Sequence, residues 1–205
     1  MTGTSLFSSL LPIDSKPFGL TFGEWSARWW QWLLSIPKSN NPAFDSVGSN
    51  ANINQDYKPV FFLCQTYEGL NIIPNRTVTI PAGYNLIFIP IINWISILHH
   101  DGETDEDLLA IAKERMDVVS NLKFSINQLT TEDGLENFRV VSPFFEVVLP
   151  EDNIIGLPSG VRRAISDGYW IFVEPKVREE LVLTTFGSCS AGVTRIGVIY
   201  KINNI

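Results

Sequence analysis

Four tryptophans fall within eight positions of the segment TFGEWSARWWQWLLSIP, residues 21–37, and the whole chain has only six. That concentration of large apolar rings dictates where a core must form. The segment carries its own helix signals. Thr21 and Glu24 stand three residues apart as a capping box, each side chain able to bond the other's backbone N–H. Leu20 and Trp25 occupy the positions of a hydrophobic staple. Ile36 precedes Pro37 and is pushed out of helical geometry, so the helix is predicted over residues 21–35. Along it Glu24, Arg28, Gln31 and Ser35 recur on one narrow polar stripe. Trp25, Trp29, Trp32 and Leu33 form one apolar face, flanked by Trp30, Leu34 and Ala27. A helix that is apolar on most sides is a buried helix. One lying in a membrane interface would carry a broad basic face, and this one has a single arginine.

Two roles fit this pattern. In one, the helix is a core piece laid across a sheet, each indole N–H finding a partner. In the other, the polar stripe and an edge tryptophan line a cleft against the following loop, with Glu24, Arg28, Gln31 and Trp29 as binding residues.

The remainder of the chain is mostly β in character. Residues 1–19 are small, polar and proline-punctuated, and read as an extended surface segment. Residues 38–58 are rich in Asn, Ser and Gly and read as a long irregular loop, of a length that is uncommon unless functional or laid against the body. From Pro59 onward short runs of β-branched and aromatic residues alternate with turn residues. The longest apolar run, LIFIPIINWISIL at residues 86–98, is shorter than the roughly 20 residues that a membrane-spanning helix needs. Its isoleucines and Pro90 point to buried strand. A second helix is predicted at about 105–119: Thr104 caps it, acidic residues fill its first turn, and Leu109, Ala112, Met116 and Val119 recur at helical spacing. The expectation is one α+β domain over residues 1–205, mainly β: an antiparallel sandwich, jelly-roll or Greek-key like, with the Trp-rich helix and one midchain helix.

Composition narrows the partners. A net charge of −7 without any cluster of Lys or Arg argues against nucleic acid. The N-terminus has no basic region before an apolar stretch, so as written there is no signal peptide and the chain reads as soluble and cytoplasmic. A chain with its leader removed would read the same. The two cysteines, Cys64 and Cys189, specify no disulfide framework, and free thiols are the simpler expectation.

The stretches FGEWSARWWQW, SIPKSNNP, PVFFLCQTYEG, RTVTIPAGYNLIFIPIIN, SDGYWIFVEP and GSCSAG together resemble a group of bacterial and archaeal proteins of no known function. The resemblance runs in order from about residue 20 to the C-terminus and implies a single domain over the whole chain. Many of the similar proteins carry a secretion leader and further cysteines; here Val78 stands in the RTVTIP strand, and the 38–58 loop has no cysteine.

Candidate chemistry is sparse. His99 and His100, the only histidines, precede Asp101, Glu103 and Asp105, and His100, Asp101 and Glu103 are the weak candidates for a metal. Adjacent residues of an extended chain point to opposite faces, and no zinc motif is present, so a solvated loop before a charge-capped helix is the simpler expectation. GSCSAG echoes a nucleophile elbow, with Cys189 or Ser190 as nucleophile, but a strand rather than a helix follows it. Glu146 and Glu174 lie in apolar strands, where alternation lets both face solvent. No cofactor is expected. The leading expectation is therefore a non-catalytic binding or structural protein that takes a small-molecule ligand or self-associates as a homo-oligomer. The alternative is a hydrolase or lyase using Glu24, Arg28 and His99 or His100, with Cys189 as a further candidate.

Overall fold

A computed structural model describes residues 10–67, 73–127, 129–131, 133–175, 180–189 and 194–204. Helix α1 (Phe22–Ser35) starts on the expected capping box, with the Thr21 N–H donating to Glu24 Oε2 at 2.8 Å and the Glu24 N–H to Thr21 Oγ1 at 3.2 Å. After it come β1 (Val60–Phe62), β2 (Asn75–Ile80) and β3 (Leu86–Ile97), then helix α2 (Asp105–Asp117). The rest is strand: β4 (Val119–Ile126), β5 (Leu129–Thr131), β6 (Arg139–Val141), β7 (Phe145–Leu149), β8 (Gly160–Val173), β9 (Leu181–Cys189) and β10 (Thr194–Asn204).

These strands form two five-stranded sheets. The first runs β1-β3-β8-β6, with β7 also paired to β8; the second runs β2-β10-β9-β4-β5. The sandwich is mainly β, as the sequence implies, but its sheets are mixed rather than antiparallel. β1 pairs parallel with β3, and β2 parallel with β10. The first exception follows from connectivity: β2 crosses to the opposite sheet between β1 and β3, so the chain re-enters the first sheet in its original direction. The inner pairs of both sheets keep the antiparallel pairing that hairpin-type sequences favour.

Helix α1 covers one face of the first sheet and the second sheet covers the other. On the helix side Phe22 meets Phe88 and Phe172 edge-on, and Trp29 meets Trp170 with ring centroids 5.1 Å apart. On the opposite side Gly187 of β9 lies against Ile92, where a Cβ would sit 3.0 Å from the isoleucine side chain. Strands β3 and β8 are thus roofed on both faces, which is why the 86–98 run is apolar almost throughout instead of alternating. β2, with one face to solvent, shows strict alternation of exposed and buried residues.

The long 38–58 segment is laid against the body. Asn41 Nδ2 donates to the carbonyls of Leu33 and Ile36 at the end of α1, and the Gln55 amide bonds both backbone groups of Phe62. Helix α2 also begins on a capping box, Thr104 with Asp107. It buries Leu108, Ala112 and Met116, so its apolar face is rotated from the expected one: Leu109 is only half-buried, and Val119 already belongs to β4. Arg163 of β8 holds Asp105 of α2 at 2.6 Å, and Arg139 of β6 bridges Asp117 of α2 to the fully buried Asp167. Among the described residues, no helix is long and apolar enough to cross a membrane.

Candidate functional site

The indoles of α1 are buried, but they are not equivalent. Trp25 donates its N–H to Pro17 O at 2.9 Å, Trp29 to Leu63 O at 2.8 Å and Trp32 to Ile53 O at 2.9 Å. These three bonds tie the helix to the N-terminal segment, to the chain leaving β1 and to the 38–58 loop. Trp30 Nε1 is buried with no partner among the described residues.

The polar stripe of the same helix is occupied with holding the helix in place. Glu24 belongs to the cap, and the bonds from Thr21 hold its carboxyl below the ordinary carboxylate value. Arg28 lies over the Trp25 and Tyr57 rings, 5.2 and 5.8 Å from their centroids. Gln31 donates to the backbone carbonyl of Glu146, and Ser35 to that of Trp32. None of the four lines the cavity that adjoins the helix.

That cavity lies on the flank of Trp29, Trp30 and Leu33. It arises because β1 is short. β1 pairs with Leu86–Phe88 only, and a bulge between Pro90 and Ile92 then bends β3 away. Among the described residues no strand pairs with that side of β3 beyond this point. The chain leaving β1 passes along the resulting notch as Gln65, Thr66 and Tyr67. The second half of β3 supplies Asn93, Trp94, Ile95 and Ile97; Ala43, Ile155 and Ile196 close the sides, and His100 and Asp101 also line the space. The volume is about 260 Å³. Gly168 permits this arrangement, since a Cβ there would lie 2.6 Å from the Cβ of Asn93.

Eight buried side-chain polar atoms have no hydrogen-bond partner among the described residues, and five belong to residues lining this one cavity. They are Trp30 Nε1, Gln65 Nε2, Thr66 Oγ1, Asn93 Nδ2 and Trp94 Nε1. Each such group costs about 1–3 kcal/mol of desolvation, and native structures satisfy nearly all of them through protein, ordered water or ligand. All five atoms are enclosed, so they lie behind the accessible surface of the cavity and not on it.

The other sequence candidates are dispersed. His99 is exposed and contacts Glu103 at 3.0 Å, while Asp101 accepts the Ile97 N–H at 2.7 Å. Both histidines therefore sit on a turn fastened by acidic residues, and only His100 and Asp101 reach the cavity. Among the described residues no three His, Cys, Asp or Glu side chains group as metal ligands. Cys189 ends β9, paired with Val119 and Thr194, so GSCSAG runs from strand towards strand; Ser190 lies outside the described residues. Cys64 and Cys189 are free thiols, and burial pushes the Cys64 thiol up. Glu146 and Glu174 face solvent.

Of the residues expected to bind, Trp29 and His100 with Asp101 come together at the cavity; Glu24, Arg28 and Gln31 do not. Sequence reasoning missed Gln65, Thr66, Asn93 and Trp94. The available signal was polar residues interrupting otherwise apolar strand: QT after PVFFLC, and Asn93 within LIFIPIINWISIL. Comparison of the chain with protein-family models, with curated proteins and with solved structures found no match.

Proposed function

We propose that the protein is a non-catalytic small-molecule-binding β-sandwich whose ligand occupies the notch between α1 and the second half of β3. The observation that carries this reading is a cavity of about 260 Å³ beside α1, walled by aromatic and aliphatic side chains, with Gln65, Thr66, Asn93, His100 and Asp101 also in its lining. Apolar walls with a few fixed polar groups are the general composition of small-molecule sites.

A hydrolase or lyase built on Glu24, Arg28 and a histidine has less support. Glu24 and Arg28 are engaged in capping and ring packing away from the cavity where His100 lies. Self-association through aromatic surface would have to use Phe18, Phe44 and Tyr67, which are exposed, because the tryptophans of α1 are buried.

The test is a thermal-shift screen of single-ring compounds against the wild type and against Thr66→Phe, which fills the notch from a half-buried loop position. At least one compound is expected to raise the wild-type melting temperature and to leave that of Thr66→Phe unchanged. Ile155→Phe serves as a second filled variant should Thr66→Phe fold poorly. A screen without any stabilising compound, or equal stabilisation of the filled variants, overturns the proposal.

A further inference from the structure

Resting on the reading of the notch as a ligand site, we infer that its ligand is a small amine: one apolar ring seated among the tryptophans, with an ammonium group at the Asp101 carboxylate.

Size and wall set the first limit. An apolar protein cavity of about 150 Å³ accommodates benzene, so about 260 Å³ takes one ring with a short substituent rather than a fused system with a chain. Trp29, Trp30, Leu33, Trp94, Ile95 and Ile196 in the lining favour a flat apolar body.

The donors of the lining set the second, because they are engaged or shut away. Trp29 Nε1 donates to Leu63 O, and Trp30 Nε1, Trp94 Nε1, Gln65 Nε2, Thr66 Oγ1 and Asn93 Nδ2 are all enclosed behind the accessible wall. Neither lysine nor arginine is part of the lining. Arg115 lies over the Trp94 ring, 4.9 Å from its centroid, but is not a lining residue. His100 lines the cavity but is exposed, where water competes for its ring nitrogens. An anionic ligand would therefore find no fixed cation there to offset the water it gives up.

Asp101 sets the third. Its N–H donates to Ile97 O at 2.9 Å and its Oδ2 accepts the Ile97 N–H at 2.7 Å, so the carboxylate is held at the end of β3 that lines the cavity. A carboxylate has about four acceptor sites, and the Ile97 N–H uses one of them. Among the described residues it pairs with no lysine or arginine. Asp101 is half-buried, and a charge beside an apolar wall gains most from a partner of opposite sign. An ammonium supplies that charge together with three donors, which an uncharged ring or ring alcohol does not. The net charge of −7 draws cations towards the chain as well.

The experiment is titration of the purified protein, followed by isothermal calorimetry, with four probes of similar size: phenylethylamine as cation, phenylacetate as anion, phenylethanol as uncharged polar ring and toluene as apolar ring. Phenylethylamine is expected to bind tighter than each of the others, by about tenfold. Asp101→Asn keeps an amide oxygen for the Ile97 N–H and removes the charge. It is expected to weaken phenylethylamine by about tenfold and to leave phenylethanol unchanged. Equal or tighter binding of any other probe, or undiminished binding of phenylethylamine by Asp101→Asn, overturns the amine inference while leaving the cavity reading in place. Failure of all four to bind at millimolar concentration counts against both. Circular dichroism establishes that Asp101→Asn is folded, and the order of the four probes on the wild type tests the inference without that variant.

Discussion

Trp29 and Trp30 are neighbours on one helix, both nearly inaccessible to solvent, yet replacing each by phenylalanine should have unequal consequences. Either change removes two ring carbons, worth about 1.5 kcal/mol at about 0.8 kcal/mol per buried carbon. Helix propensity is the same for both. The difference lies at the nitrogen. In Trp29→Phe the Leu63 carbonyl loses its 2.8 Å bond inside the core, at a cost of about 1–3 kcal/mol. In Trp30→Phe no bond to a described residue is lost, because Nε1 has no partner among them, and removing it relieves a desolvation cost of about the same size. Trp30→Phe should therefore lie close to wild type and Trp29→Phe below it by about 2 kcal/mol or more. For a domain of this length that separation is about 4–8 °C in melting temperature. Urea denaturation followed by far-UV circular dichroism reads it directly, with slopes compared to exclude altered unfolded states. Equal destabilisation of the two variants would refute the claim that the Trp30 nitrogen is unsatisfied within the fold.

Gly23→Ala would ordinarily favour a helix by up to about 1 kcal/mol. Here the new Cβ would lie 2.6 Å from the Val141 carbonyl oxygen, so the variant should instead lose about 1–3 kcal/mol, and a stabilised variant in the same denaturation assay would contradict the packing of α1 on β6. Arg139→Ala should cost about 3–5 kcal/mol, because it leaves the Asp167 carboxylate buried and unpaired; Arg139→Ala/Asp167→Asn should recover most of the loss, and no recovery would refute that origin. Asp167 itself is pushed above the usual carboxylate value by burial, against the pull of Arg139. Glu24, Asp105 and Asp107 are held below their ordinary values of 4.5, 3.8 and 3.8, by Thr21, by Arg163 and by Thr104 with its neighbouring backbone. Their contribution is thus fully present above about pH 4.5 and is lost as the pH falls through their lowered native values. Denaturation midpoints should accordingly drop below pH 4, less steeply in Glu24→Gln, and an unchanged slope in that variant would count against the cap.

The parts of the fold that were legible in sequence are those specified locally. Both capping boxes, the end of α1 before Pro37 and the buried 86–98 strand follow from neighbours within a few residues. The parallel edge pairs were not legible, because they depend on β2 crossing to the opposite sheet, which no local pattern encodes. The Trp-rich helix lies against a sheet, as its apolar faces imply, but its polar stripe does not line the cavity. Glu24, Arg28, Gln31 and Ser35 hold the helix in place by capping, ring packing and backbone bonds. The residues of the notch instead look unremarkable in sequence. Gln65 and Asn93 sit some thirty positions apart and meet only because β1 stops at Phe62 and β3 bends at Pro90. What distinguishes Trp30 from Trp29 is the lack of a bonded carbonyl among the described residues, a property of the fold alone.

The central claim, that the notch is a ligand site, is tested most directly by the six indole N–H resonances of ¹⁵N-labelled protein during titration with a bound compound. Trp29, Trp30 and Trp94 line the cavity, and Trp25, Trp32 and Trp170 do not. Titration with a compound that raises the melting temperature should shift the Trp29, Trp30 and Trp94 resonances, with those of Trp25, Trp32 and Trp170 unmoved. Saturable binding that leaves the Trp30 and Trp94 resonances in place would contradict the account.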